Sequence, residues 1–331
     1  MNGIKFAKEV DNEPAIQSGT GMIRLMLIGL AAGLFFSTTF VLNRAMSLEN
    51  GHWYWSAALR YFYMVVLLGI GLSVCKGPAY FRRVLGEWSR HWPFWTLSGT
   101  IGFGCFYALL CFAADFAPGW VVATTWQLTI IATLFVLKCF GGRFAKRIWL
   151  YALVVVAGVV LVNLSNAGTA NLHPLLLGGL PVLIAAFCYP LGNQLVWEAQ
   201  RGRPWLPQID AALLANSFTK VFLLSAGSLP FWLLLYPCTD AGLPSSGQLL
   251  NTGLVALFSG VIATTLFLHA RSRADNASKL AAVDATQSSE VLFALAGEIL
   301  FLHAILPNTV GLVGIAITIL GLIAFVRHEH E

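Results

Sequence analysis

An all-α membrane protein with ten crossings is what this sequence predicts, and three observations carry that prediction. Hydrophobic residues make up 57% of the 331 and charged residues only 11%, against about 25% charged in ordinary soluble domains, so the chain cannot cover a water-soluble surface. Ten apolar stretches, joined by short connectors, each have roughly the 20 residues that cross a hydrocarbon core of about 30 Å as a helix. Basic residues gather in alternate connectors, as they do when a chain weaves through a bilayer.

In chain order, residues 1–21 carry charges of both signs and no apolar core, which predicts a short cytoplasmic tail. The spans are then Met22–Asn43, Trp53–Val74, Pro93–Phe112, Trp120–Phe140, Ile148–Leu164, Pro174–Trp197, Pro207–Leu235, Leu249–Ala270, Ala277–Leu302 and Leu306–Val326, with a second tail over residues 328–331. Helix is the required form because lipid cannot satisfy backbone polar groups, and the short alternating segments of a barrel are missing. Trp53, Tyr54 and Trp55 at one end of the second span, with Trp92 and Trp95 at the start of the third, suit the aromatic belts of the two interfaces.

Orientation follows from the 20 Lys and Arg residues. Lys5, Lys8 and Arg24 precede or open the first span; Lys76, Arg82, Arg83 and Arg90 follow the second; Lys138, Arg143, Lys146 and Arg147 follow the fourth. Arg201 and Arg203 follow the sixth, Arg271, Arg273 and Lys279 the eighth, and Arg327 closes the tenth. Seventeen therefore share one side, Arg44 alone marks the other, and Arg60 and Lys220 lie inside spans. Both termini are expected in the cytoplasm of a bacterium, with the spans in its cytoplasmic (inner) membrane.

Several function classes are excluded or disfavoured. The six cysteines are scattered without a C-x-x-C pair and the seven histidines without metal-ligand spacing, so no metal site or disulfide framework is expected. The pattern G-x-x-x-x-G-K-[ST] does not occur, which excludes ATP-driven pumping by this chain alone. The net charge of +5 reflects topology rather than a nucleic-acid surface. No cofactor is expected, and no clustered acid, base or metal set at one interface points to an integral membrane enzyme.

Sliding the sequence against itself uncovers a repeat. At a shift of 160, Ala114, Asp115, Ala117 and Gln127 fall on Ala274, Asp275, Ala277 and Gln287, and Arg60 falls on Lys220. At a shift of 150, Gly29, Leu30 and Asn43 fall on Gly179, Leu180 and Asn193. Two halves of five spans, residues 22–165 and 166–327, are expected; five is odd, so the second half enters the membrane from the opposite face. Inverted halves of this kind hold substrate near the midplane between them, whether the unit is a monomer or a homodimer.

With this pattern, the A-L-R-Y-F run at Ala58–Phe62, the A-P-G at Ala117–Gly119 and the A-S-K-L-A-A at Ala277–Ala282, the chain resembles the drug/metabolite transporter superfamily, and within it the ten-span proteins predicted to be multidrug resistance efflux transporters. The resemblance implies ten helices in two inverted halves and secondary transport of a small molecule. The small dimeric relatives carry an essential Glu in their first span; Met22–Asn43 has no acidic residue.

Four ionisable residues lie well inside spans: Arg60, Lys220, Asp284 and Glu290. Their charges sum to zero, so pairing for packing specificity is one reading. The other is functional, because charges at bilayer depth face cavities and mark substrate or proton pathways. Asp284, Gln287 and Glu290 form a slanting polar stripe on the ninth span, edged by Thr286 and Ser288. Glu290, deepest, is the expected proton-coupling residue. Asp284, nearer the cytoplasm, is expected to stay ionised and help with coupling or binding. Glu298 is expected to reach for the outer interface.

The matching stripe on the fourth span is Thr124, Thr125, Trp126, Gln127 and Thr129. It has no charge, and Trp126 offers a face to a cation or flat ligand. Tyr189 and Pro190 predict a kink near the middle of the sixth span, and breaks of that kind often border binding cavities. Asn43 and Asn193 sit at corresponding positions, either bridging helices or binding substrate. Gln287, Gln127, Trp126, Arg60, Lys220, Tyr189, Asn43 and Asn193 are the candidate substrate-binding set. A proton-linked exporter of organic cations or lipophilic drugs is the first functional reading, and a carrier of an amino acid or other organic anion clasped by Arg60 and Lys220 is the second.

Overall fold

A computed structural model describes residues 15–142, 144–167, 173 and 175–329. Of the expected tails, residues 1–14, with Lys5 and Lys8, and residues 330–331 lie outside the described residues, as does Arg143. Every regular element among the described residues is helical. Ten helical stretches are long and apolar enough to cross a membrane: Gly21–Leu48, Trp53–Lys76, Trp92–Ala113, Gly119–Cys139, Arg147–Ala167, Leu175–Gln200, Ser217–Cys238, Ser246–Ser272, Ser278–Leu302 and Thr309–Arg327. They are called spans one to ten below.

Differences from the expected boundaries have local causes. Span seven begins at Ser217 rather than Pro207 because two caps restart the chain. Asp210 accepts from the N–H groups of Ala212 and Leu213 to open a single turn, Ala211–Leu214, and Asn216 then accepts from Phe218. Span ten begins at Thr309 rather than Leu306, since His303 adopts a left-handed conformation (φ 52°) that ends span nine, and Asn308 accepts from the Gly311 N–H. The connector after span two contains a further helix, Pro78–Arg90, which turns Val84 and Glu87 toward the bundle and leaves Arg82 and Arg90 exposed.

Helix contacts keep their pattern when each half is exchanged for the other. Span one packs on spans eight and nine, and span six packs on spans three and four; span five pairs with span ten and span two with span seven. Irregularities recur in the same places. Spans three and eight each contain a π-helical stretch, Thr100–Cys105 and Ala256–Ala263, while spans four and nine each lose regular α-helix at their centre, at Gln127–Leu128 and Thr286–Ser288. Such interruptions need neighbours or a cavity to satisfy the freed backbone groups. This pattern fits two inverted five-helix halves.

The halves approach closely where spans three and six cross. A Cβ on Gly192 would stand 2.4 Å from the Gly102 Cα, so both positions need glycine for packing. Gly99 meets span seven in the same manner, and Gly29 and Gly33 face Thr286 and Ser289 beside the break in span nine.

Candidate functional site

Between the halves lies a cavity of about 680 Å³. Leu137, Gln200, Ser217 and Arg271 line it at the ends of spans four, six, seven and eight, so it opens on the side where the basic residues gather. Its mouth has two walls, spans four and six on one side and spans one, eight and nine on the other. The opposite end is closed. Tyr61 stacks on Trp232 with ring centroids 5.8 Å apart, Tyr54 Oη donates to the Trp232 carbonyl at 2.8 Å, and Gln248 Nε2 donates to His52 O and Ser56 Oγ. Arg44, expected in a connector, belongs to the last turn of span one and donates to the Ala114 carbonyl at 2.7 Å, tying down the loop before span four.

Eight of the ten expected site residues line this one cavity: Glu290, Gln287, Gln127, Trp126, Arg60, Lys220, Tyr189 and Asn193. The repeat accounts for their convergence. Positions matched by the shifts of 150 and 160, namely Thr39 with Tyr189, Phe40 with Pro190, Arg60 with Lys220, Gln127 with Gln287 and Ile130 with Glu290, all face the same space. Residues on the axis of a two-fold pair must do so.

Arg60 enters from span two. Its guanidinium donates to Ser259 Oγ at 3.2 Å and more weakly to Thr39 Oγ1 at 3.5 Å, and lies 4.1 Å from the centroid of the Tyr107 ring. Thr39 in turn donates to Ser259 at 2.7 Å. Hydroxyls and an aromatic face thus hold the charge in place; a cation over a ring contributes about 0.5–2 kcal/mol depending on desolvation. Among the described residues no carboxylate lies within ion-pair distance of Arg60 or Lys220, and no basic group lies within that distance of Glu290. Glu290 is 7% exposed, and that exposure is to the cavity it lines.

Two expected site residues sit elsewhere. Asp284 does not line the cavity; it forms an ion pair with Arg271, Nε to Oδ1 3.2 Å, beside the mouth. The four-residue neutral set is therefore corrected: Asp284 pairs with a helix-end cation that the topology argument had placed in a connector, Lys220 lies in the first turn of span seven because that span opens at Ser217, and Arg60 and Glu290 remain well inside spans. Asn43 is buried behind the cavity, donating through Nδ2 to Tyr107 Oη at 3.1 Å, and so supports the ring under Arg60. Its counterpart Asn193 lines the cavity and donates to the Tyr189 carbonyl in its own helix.

Aromatic rings form the side of the cavity toward the first half. Phe106 and Trp126 stand 4.8 Å apart, Phe106 and Tyr189 5.2 Å, and Trp126 and Tyr189 5.7 Å. The threonines of span four turn inward only in part. Thr129 and Thr133 line the cavity, whereas Thr124 and Thr125 are buried and donate to carbonyls one turn back, and Thr125 also accepts from Asn163. Glu298 does not reach an interface. It is 1% exposed and accepts from the Gly119 and Trp120 N–H groups at the start of span four.

A ten-span helical bundle with an end-open cavity, with Glu290 at the middle of span nine, Arg60 inside span two and rings along a wall, defines a multi-pass membrane protein of the transporter class. The chain belongs to the EmrE family, described as "Putative multidrug resistance efflux transporter", whose profile matches residues 23–331. A protein of Bacillus subtilis (strain 168), "Uncharacterized protein YjlA", is 39% identical over 316 residues, covering 91% of this chain and 93% of the relative. The "Uncharacterized 42.1 kDa protein in intracellular alkaline protease 3'region" of Shouchella clausii is 36% identical over 265 residues, 76% of this chain and 66% of the relative. A protein crystal structure 15% identical in sequence superposes with a TM-score of 0.56 over 93% of this chain and 98% of its own, which shows a shared fold.

Proposed function

We propose that the protein is a secondary exporter in a bacterial cytoplasmic membrane, both termini inside, that moves small organic cations or lipophilic drugs outward in exchange for protons. The observation that carries this reading is Glu290: a carboxylate at mid-span, opening on the cavity, with no basic partner among the described residues. A carboxylate in that position can hold a proton or a cationic group, and one must leave for the other to bind. Gln287 and Gln127 offer hydrogen bonds from the two broken helices, and the rings of Trp126, Phe106 and Tyr189 offer faces to a flat or cationic substrate. Residues 22–165 and 166–327 are the two inverted halves, and the walls they build together, spans four and six against spans one, eight and nine, rock about the cavity.

The test is dye transport in everted vesicles with an imposed pH gradient. Wild-type protein takes up an organic cation while the gradient dissipates, and Glu290→Gln does neither. Equal uptake by the variant would remove Glu290 from this role.

A second reading is supported by the cations. Arg60 and Lys220 both face the cavity with no carboxylate partner among the described residues, which favours a substrate bearing a carboxylate or phosphate. Lys220→Met then abolishes transport of an organic anion and spares dye export, whereas loss of both together speaks for one shared cationic site.

A further inference from the structure

We infer that Glu298 is the latch that holds the outer end of the transporter shut, and that its release from span four is a required step of opening. The inference rests on the alternating-access reading above. Glu298 Oε1 accepts from the Gly119 N–H at 2.6 Å and Oε2 from the Trp120 N–H at 3.3 Å. These are the first N–H groups of span four, and Pro118 before them supplies no side-chain cap. The cap is supplied instead by span nine, 179 residues along the chain. A carboxylate suits that place because the start of a helix carries partial positive charge and unsatisfied donors.

The contact is built to admit this carboxylate and little else. A Cβ on Gly119 would stand 3.1 Å from Glu298 Oε1 and 2.8 Å from the Phe40 carbonyl oxygen. Among the described residues no basic group reaches ion-pair distance of Glu298. Its hold on span four therefore depends on span four staying where it is.

Spans four and nine touch at this end and part toward the cavity. The first half of span four, Gly119–Trp126, packs on spans one and nine, while its second half, Thr129–Cys139, runs along span six. Exchanging the two halves about the repeat axis, as the opposite conformation requires, brings the distal ends together and separates the ends that Glu298 joins. The exchange is unequal. At a shift of 160 the counterpart of Glu298 is Lys138, a cation that lies over the Trp149 ring and cannot cap a helix start. The start of span nine is capped by its own Asn276, which accepts from the Lys279 N–H at 2.9 Å. Among the described residues this carboxylate cap between spans four and nine has no equivalent at the inner end, so the latch biases the protein toward the cavity-in state.

The experiment is alkylation of Leu110→Cys, a cavity position near the closed end, in full-length protein with its native cysteines replaced, using an impermeant maleimide applied to one face of oriented vesicles. Without added gradient, labelling from the outer face is slow. Glu298→Ala accelerates it by at least about tenfold, the factor set by about 1.4 kcal/mol; Glu298→Gln, which keeps one acceptor oxygen, gives a smaller rise. Gly119→Ala gives the same acceleration with Glu298 present. Unchanged outer-face labelling in Glu298→Ala and Gly119→Ala, with melting temperatures near wild type, overturns the latch and leaves the transporter reading standing. Absence of outer-face labelling in wild type even during gradient-driven turnover overturns alternating access itself.

Discussion

Coupling stoichiometry follows from how the acidic groups are shared out. Glu290 lines the cavity with no basic partner among the described residues, whereas Asp284 is engaged by Arg271 at 3.2 Å outside the lining. On the proton-exchange proposal, one exchangeable carboxylate implies one proton per cycle. With the membrane potential clamped to zero, a carrier of that stoichiometry accumulates substrate up to about tenfold for each unit of pH difference, equivalent to about 1.4 kcal/mol, and one with two protons about a hundredfold. The perturbation is Asp284→Asn in purified protein reconstituted into liposomes, with potassium and valinomycin setting the potential. Accumulation at steady state is measured across gradients of about one and two pH units. The slope is expected to stay at one decade per unit in wild type and in Asp284→Asn, though the variant works more slowly with Arg271 unpaired at the mouth. A wild-type slope of two decades, or a slope halved by Asp284→Asn, refutes the one-carboxylate argument.

Other consequences are open to direct measurement. Glu87, on the helix between spans two and three, has its carboxyl raised above the ordinary range by burial, with His91 beside it opposing that only in part and Arg90, Asp210 and the Asp210 N–H as its other neighbours. The folded state therefore favours the protonated form, so the group's contribution is complete below its unfolded value and is lost as pH rises through the folded one. Glu87→Gln should raise the melting temperature at about pH 8 and lose that advantage near pH 4; a gain that grows on acidification would contradict the sign. Gly192→Ala should destabilise by about 1–3 kcal/mol, because the added carbon meets the Gly102 backbone at 2.4 Å rather than a side chain that can move aside. Thermal unfolding in detergent measures it, and an unchanged midpoint would mean that spans three and six are less closely apposed.

Much of the architecture was legible in the sequence because membrane-crossing helices have a length and a composition that local residues alone determine. The ends were less so. Where Asp210 and Asn216 cap successive turns, the apolar run from Pro207 concealed a loop, and only hydrogen bonding decides that span seven starts at Ser217. Arg60, Lys220, Gln127 and Gln287 were found by the self-alignment, since an axis of symmetry brings equivalent positions together wherever the helices pack. Arg271 was missed: as one of seventeen basic residues on one side it read as a topology marker, and its partner Asp284 lies across a turn between two spans. Glu298 was misread for a related reason. Near a helix end, hydropathy cannot separate a side chain reaching for the interface from one buried against the start of another helix.

The mounting of Arg60 on Thr39, Ser259 and the Tyr107 face has an electrical consequence. Guanidinium stays charged at every pH the cell meets, so the chamber is never without positive charge, and among the described residues that line it Glu290 is the one carboxylate able to offset it. When Glu290 gains a proton, the local balance shifts toward positive: a cationic guest is repelled at that moment and an anionic one is held more firmly. The same titration would thus run proton exchange against a cation or proton co-transport with an anion. The sign of the cargo, rather than any difference in the machinery, would decide which.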